Sequence, residues 1–363
     1  MKIIHISDLH LDSKLETNFD PLLAKQRNNE MLVTLENLFD TMESQNFDAM
    51  IIAGDMFDTK KVSSKAFTYI IDLIKKHNSK KFFYVSGNHD KESELFNSIS
   101  DIPENLFVFN SIFSRFELSE NVLIGGVKLD ETNCTTFPEQ IDFPEDTLNI
   151  MVMHGAITKS ASSVSSSAFL SSSVKNKNID YLALGHIHEY SQGQIDKRCT
   201  YVYSGCLEPR GFDEIGDKGY VSILIDETTK TISHDFVKFS SRTFHEIPVD
   251  ISEFSSNRDI LNEIYQKTQN IPSTDIVKVI LAGTHNEDFA KSTNLINEEL
   301  SSKFYFVKIT DKSRLKINAK DYENDISLKG CFIRKVLASK LSEQDKSDVI
   351  VTGLKALSGE EVE

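Results

Sequence analysis

Residues Asp48 to Asp58 read DAMIIAGDMFD. Ala49, Met50, Ile51, Ile52 and Ala53 form an unbroken apolar run, the pattern of a strand covered on both faces. Gly54 ends the run and Asp55 follows it directly. A carboxylate at the exit of a buried strand contributes nothing to packing and has to be neutralised. Few basic residues flank Asp55, so a metal ion is its natural partner.

The stretches on either side repeat this design. Lys2 to Ser7 reads as a strand with Asp8-Leu9-His10 at its end, and Lys81 to Ser86 as another that runs into Gly87-Asn88-His89-Asp90. Between them lie two helical patterns. One runs from an Asp20 cap and Pro21 to about Gln45, and one follows Ser63 or Ser64 and carries Phe67, Ile70, Ile71 and Ile74. Strands alternating with helices imply a parallel sheet with right-handed crossovers. Short strands are expected over Leu106 to Val127, then buried strands at Leu148 to Met153 and Ile179 to Leu184. His154-Gly155 leaves the first of these and Gly185-His186-Ile187-His188 the second. Three further strands, around Cys199 to Tyr203, Gly219 to Ile225 and Thr231 to Val237, complete a second sheet. The serine-rich stretch Ser160 to Ser173 reads as a mobile surface loop, with a substrate-facing flap as the alternative.

The expected fold is α/β: a two-sheet αββα sandwich over residues 1–240 with a small C-terminal α/β domain over 241–312. In that domain strands at Phe244 to Val249, Asp275 to Leu281 and Phe304 to Ile309 alternate with helices at Asn257 to Gln269 and Asn286 to Leu300. A helical tail over 313–363, with helices at Phe332 to Leu341 and Glu343 to Leu357, closes the chain and is a candidate partner-docking segment.

Composition sets the bounds. The chain has 363 residues, 39% hydrophobic and 26% charged, which suits an ordinary globular protein with more than one domain. No apolar run approaches the roughly 20 residues that span a bilayer, and MKIIHISDLH lacks the apolar segment of a signal peptide. Cys134, Cys199, Cys206 and Cys331 form no CxxC pair, so neither a disulfide framework nor a cysteine-rich zinc site is indicated. A cytoplasmic protein without membrane contact is expected. The net charge of −15 argues against indiscriminate nucleic-acid binding. It leaves a nuclease open, because bound cations offset carboxylates locally.

Five stretches therefore share one plan: a strand, a sharp turn, then side chains able to hold metal. In open α/β sheets such sites form beyond the carboxyl ends of the strands. Carboxylate, imidazole and amide oxygen without thiolate suit manganese, iron, magnesium or zinc. Each stretch alone has a plainer reading; DxH can be a capping Asp and a surface His, and His154 a satisfied core histidine. All five in this order point to one metal centre.

DLH, GDMFD, GNHD, His154 and GHIH match the five-motif pattern of calcineurin-like metallophosphoesterases. Within that superfamily the chain resembles the DNA repair exonucleases of the SbcD type, including YhaO-like bacterial members. IIHISDLHLD, its spacing to GDMFD, YSGCLEPRGFDEIGDKGY and the C-terminal α/β domain, which resembles their capping domain, carry the narrower likeness. The resemblance implies two divalent ions, manganese first and magnesium, iron or zinc as alternatives. Asp8, His10, Asp55 and His188 would hold one; Asp55, Asn88, His154 and His186 the other. It implies DNA phosphodiester hydrolysis, exonuclease or endonuclease, by a metal-bridging hydroxide, with His89 as the catalytic histidine at the scissile phosphate. It further implies DNA, an SbcC-like ATPase subunit and a homodimer as partners, with Phe67, Ile70, Ile71 and Ile74 as one candidate dimer face and packing on the chain's own sheet as the other reading. Asp90 is a candidate to orient His89, and Arg210 to meet a phosphate. Asp58 stands where the break-repair nucleases often carry a second histidine. The alternatives are a phosphodiesterase for cyclic nucleotides or other small phosphate esters, and a non-catalytic scaffold on the same fold.

Overall fold

The apolar runs of the N-terminal half become four parallel strands, β1 (Lys2–Ile6), β2 (Ala49–Ala53), β3 (Lys81–Val85) and β4 (Leu106–Phe109). The antiparallel strands Gly219–Asp226 and Thr231–Lys238 extend this sheet beyond β1. The computed structural model describes residues 1–15, 19–58, 64–90, 102–286, 289, 291–316 and 322–358. The chain divides between Thr243 and Phe244 into two units.

Helix α1 (Pro21–Ser44) starts where the Asp20 carboxylate accepts from the backbone N–H of Leu22 at 2.9 Å and of Leu23 at 3.1 Å. Its buried stripe, Ala24, Met31, Leu35, Leu38, Phe39 and Met42, recurs every three or four residues. Phe39 stacks on Phe82 of β3 with ring centroids 5.3 Å apart, which lays the helix on the outer face of the sheet. In α2 (Ser64–Lys76) Phe67, Ile70, Ile71 and Ile74 are all buried within this chain. They pack inward, so they offer no face to a second copy.

The second sheet runs in the order Ser191–Gln194, Thr200–Tyr203, Tyr181–Gly185, β7 (Leu148–His154), β6 (Val122–Gly126), β5 (Ser114–Ser119). Side chains alternate across it. Ile124, Ile150, Val152 and Ala183 meet Ile51, Ala53, Phe83 and Val85 of the first sheet in the sandwich core. Leu123, Met151, Met153, Leu182 and Leu184 face the other way, under Phe137, Phe143, Phe169 and Val174. Short segments cover that outer face, the serine-rich stretch among them. It stays largely at the surface but is ordered, with Ala168–Leu170 pairing in parallel with the preceding Ala156–Thr158 and two 3₁₀ turns. Buried Phe169 and Val174 anchor it, two apolar residues that its serines obscure in the sequence.

The second unit carries a parallel sheet of Phe244–Asp250, Ile276–Ala282 and Phe306–Asp311, with helices Asn257–Lys267 and Thr293–Ser301. Val249, Ile260, Ile264, Val279, Leu281, Ile296 and Leu300 share its core. Two helices start away from their expected positions because a serine caps them. Ser292 accepts from Leu295 N–H, so that helix begins at Thr293 rather than Asn286. Ser327 accepts from Gly330 N–H and starts a helix over Leu328–Leu337, not Phe332 to Leu341. The last helix is Glu343–Ser358. Among the described residues no helix is long and apolar enough to cross a membrane.

One charged side chain interrupts the α1 stripe. Arg27 is fully buried; its Nη2 donates to Glu208 Oε2 at 3.0 Å and to the Pro209 carbonyl at 3.1 Å, and Nη1 pairs with Glu30. Glu208, also buried, accepts from Thr34 Oγ1 at 2.6 Å and from the Ser241 backbone. Replacing Arg27 by Ala strands the Glu208 charge in the interior. That should cost the first unit about 3–5 kcal/mol, seen as a lower urea midpoint; an unshifted midpoint would refute this account.

Candidate metal centre

The turns after β1 and β2 are laced together by their backbones. Asp8 N–H donates to the Gly54 carbonyl at 3.0 Å, His10 N–H to Asp55 at 3.0 Å and Leu11 N–H to Met56 at 2.9 Å. The lacing forces Asp8 (φ 52°), His10 (φ 44°) and Asp55 (φ 49°) into the left-handed region, and His186 (φ 96°) joins them from the second sheet. Non-glycine residues held there carry strain, which clusters at functional sites. Two glycines make room. A Cβ on Gly54 (φ 89°) would lie 2.2 Å from His154 Nδ1, and one on Gly87 would lie 2.1 Å from Asp55 Oδ1.

Seven of the sequence-derived residues converge. His10 Nε2 and His188 Nε2 stand 3.2 Å apart, and Asp8 Oδ1 lies 4.0 Å from the first and 3.7 Å from the second. Asp55 Oδ2 is 3.8 Å from His10 Nε2 and 3.2 Å from His154 Nε2. Asn88 Oδ1 lies 3.1 Å from His154 Nε2 and 3.2 Å from His186 Nδ1. The far nitrogens show how the rings are set. His154 Nδ1–H donates to the Ala53 carbonyl at 2.9 Å, His10 Nδ1 faces Asp58 Oδ1 at 3.3 Å, and His188 Nδ1–H donates to Glu214 Oε1 at 2.6 Å. Those partners are acceptors, so each Nε2, turned toward the cluster, offers a lone pair when its ring is neutral. Imidazole nitrogens, two carboxylates and an amide oxygen thus converge, with Asp8 also accepting from His186 N–H at 3.1 Å. A cation would satisfy the atoms that face one another, and this donor set fits divalent ones.

The electrostatics agree. Burial lowers the pKa of His154, but its hydrogen bond with Asp55 and the charges of Asp8 and Asp55 outweigh that and raise it to about 9. A proton is thus drawn into the space where a cation would sit. Burial opposes ionisation of Asp55, yet His154, the His89 N–H and His10 hold its carboxyl well below the usual range.

His89 stands beside this cluster, its backbone N–H donating to Asp55 Oδ1 at 2.9 Å. Its orienting partner is Asp58, whose Oδ1 lies 3.1 Å from His89 Nδ1, and not Asp90. Asp90 points inward and accepts from the N–H groups of Gly87 (3.0 Å), Met56 (3.2 Å) and Phe57 (2.9 Å) and from Tyr84 Oη (2.8 Å). It ties the GNHD turn to the GDMF turn. Arg210 likewise differs from expectation. Its Nε and Nη2 donate to Glu214 and its Nη1 lies 3.6 Å from Asp58 Oδ2, so it braces two carboxylates. Glu214 was missed in the sequence. It lies 26 residues beyond His188 in an irregular segment, and no periodicity separates it from neighbouring Asp213.

Residues 1–190 match the calcineurin-like phosphoesterase family, and the chain belongs to it. Metallophosphoesterases of this kind typically bind two divalent metals, and the clusters just described are the candidate ligands. The chain is 24% identical over 305 residues to the uncharacterized metallophosphoesterase YhaO of Bacillus subtilis (strain 168), covering 79% of this chain and 73% of that one. Among solved structures it is similar to a dimetal phosphatase from Danio rerio, with a TM-score of 0.40 and 12% identity over 62% of this chain and 93% of that one. A 5′-nucleotidase from Candida albicans gives a TM-score of 0.39 and 16% identity over 66% and 51%.

Two carboxylates at the centre give an acid signature. Burial raises the pKa of both Asp58 and Glu214, but hydrogen bonds outweigh it, from His10 and Ser13 to Asp58 and from His188 and Arg210 to Glu214. Each ionises at about 2, against ordinary values of 3.8 and 4.5. Below those ordinary values the unfolded chain binds more protons than the folded one. Their stabilisation is therefore complete above them and is lost as the pH falls toward 2. In metal-free protein, Glu214→Gln should flatten the acid limb of the stability–pH curve over that window; a limb of unchanged steepness would contradict the assignment.

Proposed function

We propose that this chain is a two-metal phosphodiesterase that cleaves DNA, an exonuclease or endonuclease acting in DNA repair. The observation that carries the reading is the inward-facing set of acceptors on Asp8, His10, Asp55, Asn88, His154, His186 and His188. Asp8, His10, Asp55 and His188 would hold one divalent ion and Asp55, Asn88, His154 and His186 the other, with manganese preferred. When bound, such a pair supplies Lewis acidity to the phosphate and a nucleophilic water at neutral pH. His89 is the histidine open to substrate, its side chain 47% exposed while His10 and His154 are buried. With Nδ1 held by Asp58, its Nε2 is the atom that would protonate the departing sugar oxygen. Ser13 Oγ, donating to Asp58 at 2.8 Å, and Arg210 keep that carboxylate in place.

DNA as the substrate is supported by the likeness of IIHISDLHLD and YSGCLEPRGFDEIGDKGY to break-repair nucleases. The same likeness suggests an ATPase partner. The C-terminal helices, which leave Leu328, Val349 and Leu357 exposed, are the surface we assign to it. One observation favours hydrolysis of small phosphate diesters instead: Asp58 engages both His10 and His89 where the nucleases often carry a histidine.

End-labelled duplex and single-stranded DNA, a cyclic nucleotide and a simple aryl diester, each with manganese, magnesium or zinc, separate the two readings. The proposal expects metal-dependent DNA cleavage; turnover of the small diesters with intact DNA would overturn it. Asp55→Ala and His186→Ala should abolish hydrolysis with the circular dichroism unchanged. His89→Ala should lower kcat by about 10²–10⁴-fold at unchanged metal content, with Asp58→Asn losing less; full kcat in His89→Ala would remove that residue from the chemistry.

A further inference from the structure

Glu214 belongs to none of the five motifs. It sits 3% exposed on the segment Gly205–Lys218, which follows the second sheet. We infer that Glu214 is a positioning residue that fixes the tautomer and ring orientation of His188 for cation binding. The inference rests on the two-cation reading of the site.

Both oxygens of Glu214 are engaged. Oε1 accepts from His188 Nδ1–H at 2.6 Å and from Arg210 Nη2 at 2.8 Å, and Oε2 accepts from the Arg210 backbone N–H at 2.7 Å. An ionised carboxylate only accepts, and Glu214 Oε1 is far closer to Nδ1 than Arg210 Nη2 at 3.3 Å, so His188 carries its proton on Nδ1 and its lone pair on Nε2. That Nε2 is the atom 3.2 Å from His10 Nε2 and 3.7 Å from Asp8 Oδ1. With the opposite tautomer, a nitrogen lone pair would face the Glu214 carboxylate. The same segment grips the His188 backbone, whose carbonyl accepts from Lys218 Nζ at 2.9 Å and from Cys206 N–H at 3.3 Å.

A carboxylate behind an imidazole orients the ring and makes its other nitrogen a better donor to a metal. The three imidazoles are served differently: His154 by the Ala53 carbonyl, His10 by Asp58 and His188 by Glu214. Arg210 lies between the two carboxylates and offsets the charge of both, so the set is coupled through one guanidinium.

The test measures metal binding to the full chain, not turnover. Calorimetric titration of the parent with manganese should resolve two sites. Glu214→Gln should weaken one of them by about 10–100-fold and leave the other. On a His188→Ala background the same change should add nothing, because Glu214 acts through that ring. Glu208→Gln, on the same segment but paired with Arg27, should leave both affinities as they are; weakening there would point to general loosening and overturn the specific role. A parent that binds no divalent ion would defeat the two-cation reading and this inference with it. Two parental sites and equal binding by Glu214→Gln would defeat the inference alone. A measurement without any variant guards against misfolding: ¹⁵N imidazole spectra of metal-free parent in alkaline buffer, where the ring is neutral, should show His188 protonated at Nδ1. Protonation at Nε2 would overturn the proposal.

Discussion

The Asp55 carboxylate, 2% exposed and set between two clusters of imidazoles, is the constraint around which the first unit is arranged. An anion there is tolerable only if the surrounding groups supply hydrogen bonds and the space beside it accepts positive charge. The neighbouring elements do both. The GNHD turn offers a backbone N–H from His89, and Gly87 lets that turn approach without a side chain in the way. His154 comes in from the second sheet over Gly54, its far nitrogen held by the carbonyl at the end of β2. The sandwich core of Ile51, Ala53, Val152 and Ala183 sets the distance between the two sheets and so places His154 against that carboxylate.

Around this centre the polar side chains form layers with different tasks. Asp90, behind the turns, holds the backbones of GDMF and GNHD in register. Asp58, in front, links His10 to His89 and so joins the ligand cluster to the solvent-facing histidine. Arg27 and Glu208 pin the loop that leads to Arg210 onto α1. Carboxylates adjacent in sequence to candidate ligands therefore differ in function according to which way each side chain turns.

Much of this was legible from residue order because it is local. Buried strands announce themselves as apolar runs, and the turn residues at their ends follow closely, so the five stretches could be placed at strand ends; the family resemblance then supplied Asp8, His10, Asp55, Asn88, His154, His186 and His188 as one set across the two sheets. What escaped depends on side-chain direction or on irregular backbone. Asp90 follows His89, and adjacency suggested a contact that its inward rotamer does not make. Glu214 reaches His188 across a segment with no period. The serine-rich stretch concealed Phe169 and Val174, and two helices began at cap serines that apolar spacing does not mark. Hydrophobic periodicity locates elements well; it says little about which polar atoms will face each other.

The left-handed backbone at Asp8, His10, Asp55 and His186 has a mechanical consequence. Each of these residues occupies a conformation that glycine tolerates with less strain, so a glycine there would ease the backbone while removing a candidate metal ligand. At these four positions ease of the backbone and provision of a polar side chain pull in opposite directions.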